Sequence, residues 1–339
     1  MNIVAEHDIE EVLRMLSCEG AELKDLYYKA DRVRQDNCGD EIFLRGIIEF
    51  SNYCRKDCSY CGIRKSNQAL HRYRIPEAEI VTACQQIAQR EHGTVVLQSG
   101  EDLYYTKERL GSLIRQIKQE SGLAITVSAG ERDLDTYAYW QEQGMDRYLL
   151  RFETSNQKLF TNCHPDDDFN QRITCLKNLQ QLGVQTGSGF LIGLPGETLQ
   201  ELAMDILFCT GLKLAMIGVG PFIPNPGTPL GELTNPFEKE VYFKTVAILR
   251  LLNPQAHIPS TTAFDAIQPN GRNLLLQRGA NVFMPNATPQ QYRKDYLLYP
   301  GKPCTDESSE DCAACVMLRI KKLGRQIGKG PGHSLLKKD

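Results

Sequence analysis

Residues 47–62 read IIEFSNYCRKDCSYCG. The segment opens as an apolar strand and runs into a loop holding Cys54, Cys58 and Cys61. Three thiolates at C-x3-C-x2-C spacing close around one iron–sulfur cube, yet a four-iron cube has four corners to ligate. One iron is left open for a ligand from outside the protein, as in a catalytic rather than a structural metal site. Tyr60 precedes the third cysteine and completes the pattern C-x3-C-x-aromatic-C. A zinc knuckle is the competing reading. It wants a fourth Cys or His close by, and His71 lies ten residues past Cys61, beyond a basic loop.

Outward from this stretch, strand and helix patterns alternate from residue 41 onward. The predicted strands are 41–50, 94–98, 124–127, 147–152, 184–192, 216–219, 257–260 and 282–284. Helical patterns fill the intervals at 77–91, 107–120, 133–143, 169–182, 199–211, 236–252 and 268–278. Eight strands over about 245 residues is the size of a complete (β/α)8 TIM barrel. Two further helices over 8–36 precede it and are expected on the barrel bottom or flank. The expected organisation is an N-terminal helical cap (1–40), a barrel (41–300) and a cysteine-bearing C-terminal extension (301–339).

The 339 residues are 41% hydrophobic and 24% charged, with a net charge of −3, which describes an ordinary soluble chain with no general attraction to nucleic acid. No run of 18 apolar residues and no signal-peptide pattern is present, so a cytoplasmic protein without a membrane span is expected. Twelve cysteines in that setting point to metal ligation rather than disulfides.

Catalytic groups of such a barrel sit at the C-terminal ends of its strands, where the cysteine loop also falls. Strand 4 ends in Arg151-Phe152-Glu153, and alternation sends Arg151 and Glu153 to one face and Phe152 to the other. An Arg and a Glu at the barrel mouth are costly unless they bind something or pair with each other. Arg172, on the next helix, is either an exposed helix Arg or within reach of the carboxylate of a bound amino acid, which it would grip by two hydrogen bonds. Thr261 and Thr262 end strand 7 and either bind an anion or cap a turn. The tail carries Cys304, Cys312 and Cys315 at C-x7-C-x2-C spacing, among acidic residues. A second iron–sulfur cluster, a zinc site and an idle trio are all compatible with that spacing. These residues follow the last strand, so the barrel repeat does not oblige them to approach the first triad.

The cysteine loop resembles the radical S-adenosylmethionine (SAM) enzymes. The resemblance narrows to the HydE family of [FeFe]-hydrogenase maturases on CRKDCSYCG (54–62), QSGED (98–102), SAGE (128–131), RFETSN (151–156), GSGFLIGLPGET (187–198), GPFIPNPGTP (220–229), PSTTAFDAIQPNGR (259–272), GANVFMPN (279–286) and the tail cysteines. It implies a closed barrel with a [4Fe-4S] cluster on Cys54, Cys58 and Cys61, and SAM chelated to the open iron. It further implies Glu153, Arg172, Met284 and Tyr296 around SAM, and Arg151, Thr261 and Thr262 on a substrate carboxylate. A second cluster, [2Fe-2S] or [4Fe-4S], would sit on Cys304, Cys312 and Cys315. The implied role is assembly of the hydrogenase di-iron subcluster from a cysteine-bound iron–carbonyl–cyanide synthon. A monomer in transient contact with the maturases HydG and HydF and with an electron donor goes with that role. Phe152 and Asn225-Pro226-Gly227 depart from the family pattern, which has His and His-Pro-Asp there. Two other readings are a methylornithine synthase-like amino-acid mutase and a two-cluster electron carrier.

Overall fold

The computed structural model describes residues 6–307 and 309–336. Two helices, α1 (Glu6–Ser17) and α2 (Gly20–Cys38), lead into β1 (Glu41–Ser51). The first half of the barrel continues as α3 (Glu77–Gln89), β2 (Thr94–Ser99), α4 (Lys107–Ser121), β3 (Ala124–Ser128), α5 (Leu134–Glu142) and β4 (Arg147–Leu149). Next come α6 (Gln157–Cys163), α7 (Phe169–Gln181), β5 (Gln185–Ser188), β6 (Leu191–Ile192), α8 (Leu199–Gly211), β7 (Met216–Ile217) and β8 (Gly220–Pro221). The chain ends through α9 (Lys239–Leu252), β9 (Pro259–Ser260), α10 (Ala263–Ile267), α11 (Gly271–Leu276), β10 (Val282–Phe283), α12 (Gln290–Arg293), α13 (Ser309–Lys322) and β11 (Gln326–Ile327).

Eight parallel strands run in the order β7-β5-β4-β3-β2-β1-β10-β9, and a bridge from Met216 to His257 joins the two ends into a barrel. Helix termini follow their sequence signals. Thr106 accepts from the Arg109 N–H at the start of α4, Gly122 ends it in the left-handed conformation, and Thr198 with Glu201 forms a capping box on α8. The predicted fifth strand breaks at Gly189, where φ is +156° and a Cβ would lie 2.0 Å from the Gly218 carbonyl oxygen. Pairing resumes beyond it as a separate ladder between β6 and β8. The N-terminal helices lie on the flank, α1 against α8 and α9, and α2 against α9.

Alternation along the strands separates two environments. Ile42, Leu44, Ile48 and Phe50 of β1, with Val95, Leu97, Ile125 and Val127, join the hydrophobic layer between sheet and helices. The alternate residues Arg45, Ile47, Glu49, Gln98, Thr126, Ser128 and Arg147 face the barrel interior, which encloses cavities rather than a packed apolar core.

The segment after residue 300 touches both ends of the barrel. At the mouth, Lys302 Nζ donates to both carboxylate oxygens of Glu49 (2.5 and 2.7 Å). At the floor, β11 adds to the start of β1, and the carbonyls of Pro331 and Gly332 accept from the buried guanidinium of Arg147, at 2.8 and 3.2 Å. Arg45 donates to Gly332 as well, at 3.1 Å. Gly93 is obligatory there, since a Cβ would lie 1.9 Å from the Gly330 oxygen.

Candidate active site

The loop after β1 is held from every side. Arg55 N donates to Glu101 O (2.9 Å), Ser59 N to Cys163 O (2.8 Å) and Gly62 N to Leu298 O (2.9 Å). The Arg72 guanidinium spans the loop, donating to the carbonyls of Asn52 (2.5 Å), Ile63 (2.8 Å) and Arg64 (2.5 Å). Two glycines permit this fit: a Cβ on Gly62 would lie 2.0 Å from the Leu297 oxygen, and one on Gly100 would lie 2.3 Å from the Tyr53 oxygen. Cys54, Cys58 and Cys61 are free thiols on the wall of one cavity of about 370 Å³ at the C-terminal ends of the strands. Burial and the neighbouring cysteines push the Cys58 thiol well above its ordinary range and Cys61 up to about 12. Sulfurs so unfavourable as lone thiolates fit a bound iron cluster, which neutralises them together, and the Glu101 N–H already donates to Cys54 Sγ at 3.3 Å.

The same cavity gathers Arg151, Glu153, Arg172, Thr261, Thr262, Met284 and Tyr296, residues drawn from the ends of β4, β9 and β10 or the segments after them. Phe152 turns away, as alternation predicts, and packs against Phe190 and Phe208. Arg151 Nη2 and Glu153 Oε2 are 2.8 Å apart, but neither is aligned for a hydrogen bond, and Arg151 Nε also has no partner. Buried polar atoms left in this state fit a ligand that would satisfy them. Glu153 holds a left-handed φ of +67°, a strained conformation of the kind that clusters at functional sites. Thr261 spends its hydroxyl hydrogen on the Val219 carbonyl (2.9 Å), so toward the cavity it acts as an acceptor. Thr262 shares a hydrogen bond with Tyr299 (2.8 Å), and Tyr296 accepts one from Gln98 (3.2 Å).

Arg172 is buried in a network that sequence reasoning did not anticipate. Its guanidinium donates to the carboxylates of Glu131 and Asp167 and to the Arg151 carbonyl, the last at 2.8 Å. Lys56 also reaches Asp167 (2.9 Å). His164 contacts Cys58, and Glu49, Arg272 and Lys302 also line the cavity. The one available signal was the position of Glu101 and Glu131 just after strands 2 and 3. His164 and Lys302 carry no periodicity that betrays them.

In the tail, Cys304, Glu307 and Cys312 place their ligand atoms within 4.8 Å of one another, and Cys315 is exposed, outside that group. A hydrogen bond from Cys304 lowers the Cys312 thiol to about 6, with help from the Asn286 N–H and the guanidiniums of Arg272 and Arg293. Cys304 also lines the main cavity, so the tail shares a cavity with the first triad although the barrel repeat does not require it.

Residues 48–209 match the model of the radical SAM superfamily. The [FeFe] hydrogenase maturase subunit HydE of Thermotoga maritima is 46% identical over 91% of this chain and 88% of its own length. A 3-methylornithine synthase of Methanosarcina acetivorans is 31% identical over 82% of this chain and 78% of its own. Among solved structures, methylornithine synthase superposes with a TM-score of 0.82 at 26% identity, over 95% of this chain and 94% of that one. The maturase HydG of Carboxydothermus hydrogenoformans shares the fold at a TM-score of 0.77 and 24% identity, over 93% of this chain and 74% of that one. With its cysteine loop, the cavity behind it and 46% identity over 91% of its length to a curated maturase, the chain belongs to the HydE family of radical SAM enzymes.

Proposed function

We propose that this enzyme acts in assembly of the [FeFe]-hydrogenase di-iron subcluster, on a cysteine-bound iron–carbonyl–cyanide synthon delivered by a HydG-type maturase and passed on toward HydF. The observation that carries this reading is the single cavity joining the three cysteines to the unsatisfied Arg151–Glu153 pair. Cys54, Cys58 and Cys61 would hold a [4Fe-4S] cluster, with SAM on its open iron, and together these supply a 5′-deoxyadenosyl radical by one-electron cleavage of SAM.

Glu153 would accept from the SAM ribose or amino group, and Arg172 would bind the SAM carboxylate with the donors that Glu131 and Asp167 leave free. Met284 and Tyr296 would bound the SAM pocket. Arg151 would clamp the substrate carboxylate through Nε and Nη2, and the Thr262–Tyr299 hydroxyl pair has one hydrogen left to offer it. Thr261, an acceptor here, suits the substrate ammonium better than its carboxylate. Cys304, Cys312 and Cys315 would hold a second iron–sulfur cluster, with Cys315 brought in by a shift at the start of α13.

A methylornithine synthase-like activity is favoured by one observation, the close superposition on that enzyme. Complementation separates the two. Restored maturation in a strain lacking its own HydE supports the assembly role, whereas failure to complement together with lysine rearrangement by the purified protein overturns it.

A further inference from the structure

Cys58 has a partner that neither the cysteine motif nor the reaction requires. His164 Nδ1 lies 3.3 Å from Cys58 Sγ, and its side chain is 3% exposed. On the other edge of the ring, Nε2 lies 3.2 Å from the Tyr60 hydroxyl. The ring cannot swing away. Phe160 stacks on one face at 4.7 Å and 15°, and Tyr60 meets it edge-on at 5.6 Å and 77°. The backbone is fixed as well: His164 N donates to Phe160 O (2.7 Å), closing α6, while Ser59 N and Ser59 Oγ donate to the carbonyls of Cys163 (2.8 Å) and Asn162 (2.9 Å). The end of α6 and the cysteine loop are therefore one unit.

The direction of the two hydrogen bonds follows from the partners. An iron-bound thiolate accepts and does not donate, so Nδ1 must carry the hydrogen. Nε2 is then the acceptor, and the Tyr60 hydroxyl is the donor that fills it and fixes the tautomer. Asp167 is the competing acceptor for Nδ1, but it lies farther off, at 3.8 Å, and is already engaged by Lys56 and Arg172.

We propose that His164 is a positioning residue that donates a hydrogen bond from Nδ1 to the Cys58 sulfur and thereby raises the reduction potential of the cluster held by that sulfur. The inference rests on the reading of Cys54, Cys58 and Cys61 as cluster ligands. The physical cause is general: reduction adds one negative charge to the cluster, and a donor on a ligand sulfur stabilises the reduced state more than the oxidised one. Tyr60 then has two tasks, as part of the cavity wall and as the group that sets the His164 tautomer.

The test is an EPR-monitored redox titration of anaerobically reconstituted wild type, His164→Phe and His164→Asn at matched iron content. Phe keeps the stack on Phe160 and removes the donor. Asn returns an N–H near the Nδ1 position. The expected result is a midpoint in the Phe variant more negative by about tenfold in the one-electron equilibrium, ~59 mV, with most of the shift recovered by Asn. An unshifted Phe variant, or equal shifts in Phe and Asn, overturns the proposal. Pulsed EPR on wild type carrying ¹⁵N-histidine keeps it falsifiable if the Phe variant loses its cluster. A single weak ¹⁵N coupling supports the hydrogen bond, and either no coupling or one as large as a directly ligated nitrogen overturns it. A wild type that forms no four-iron signal at all overturns the cluster assignment itself, which separates that failure from failure of the His164 inference.

Discussion

The loop carrying Cys54, Cys58 and Cys61 is anchored on every side, whereas the segment carrying Cys304, Cys312 and Cys315 rests on the barrel rim with its last thiol exposed. In the first triad, burial raises every thiol. In the second, the hydrogen bond between Cys304 and Cys312 splits the pair, raising the Cys304 thiol and lowering that of Cys312. The difference teaches that the number of sulfurs is not what makes a catalytic site. A site that generates a primary radical needs rigid ligands held by their surroundings, a demand the tail group, with one thiol exposed, does not meet.

The strongest way to break this contrast is Cys58→Ala. Two remaining thiolates make a labile cluster, so reductive cleavage of SAM to 5′-deoxyadenosine, followed by chromatography, is expected to fall below detection. Undiminished cleavage would show that the enclosed triad is not the catalytic one. Arg151→Ala is the next largest expected effect. Hydrogenase maturation in a complementation assay should be lost, while SAM cleavage uncoupled from substrate persists at a reduced rate. Equal loss of both would move Arg151 from the substrate to SAM.

Arg172→Ala sharpens the comparison on the energetic side. A charge-assisted hydrogen bond contributes about 1.5–3 kcal/mol, so SAM affinity by calorimetry should weaken by roughly 10- to 100-fold. The same change leaves the buried Glu131 and Asp167 without their shared cation, and breaking a buried pair costs about 3–5 kcal/mol of stability, visible as a lowered melting temperature. Unchanged affinity with a lowered melting temperature would make Arg172 purely structural. The smallest effect on chemistry is expected from replacing Cys304, Cys312 and Cys315 together with Ser. Iron content should drop and SAM cleavage stay within about twofold. A fall as deep as that of Cys58→Ala would tie the tail to the radical step, a result that the place of Cys304 on the common cavity makes worth seeking.

Much of this molecule is legible in its sequence because the periodic parts are local. The strand at 41–50, the helices at 107–120 and 199–211 and their caps are found within a residue or two of the expected bounds. The later strands are shorter than predicted because backbone contacts, such as Gly189 against Gly218, interrupt the ladder. Arg151, Glu153, Thr261 and Thr262 were found by placing polar groups at strand ends, whereas Met284 and Tyr296 came only with the family resemblance. His164 and Lys302 were not found, since each meets its partner across more than 100 residues, and no spacing rule encodes such a meeting. The tail strand β11 escaped for a similar reason: its pairing partner, β1, stands at the opposite end of the chain.

That late strand bears on how the protein is made. Residues 326–334 leave the ribosome after all eight barrel strands, yet they supply the carbonyls that the guanidiniums of Arg45 and Arg147 need. Until they arrive, Arg147 has Gln185 and Thr94 as acceptors and Arg45 has the Met216 sulfur, but both lack the backbone carbonyls that complete their coordination. The N-terminal half therefore cannot complete these contacts until residues 326–334 have been made, and the barrel is closed from below after synthesis has passed every candidate catalytic residue.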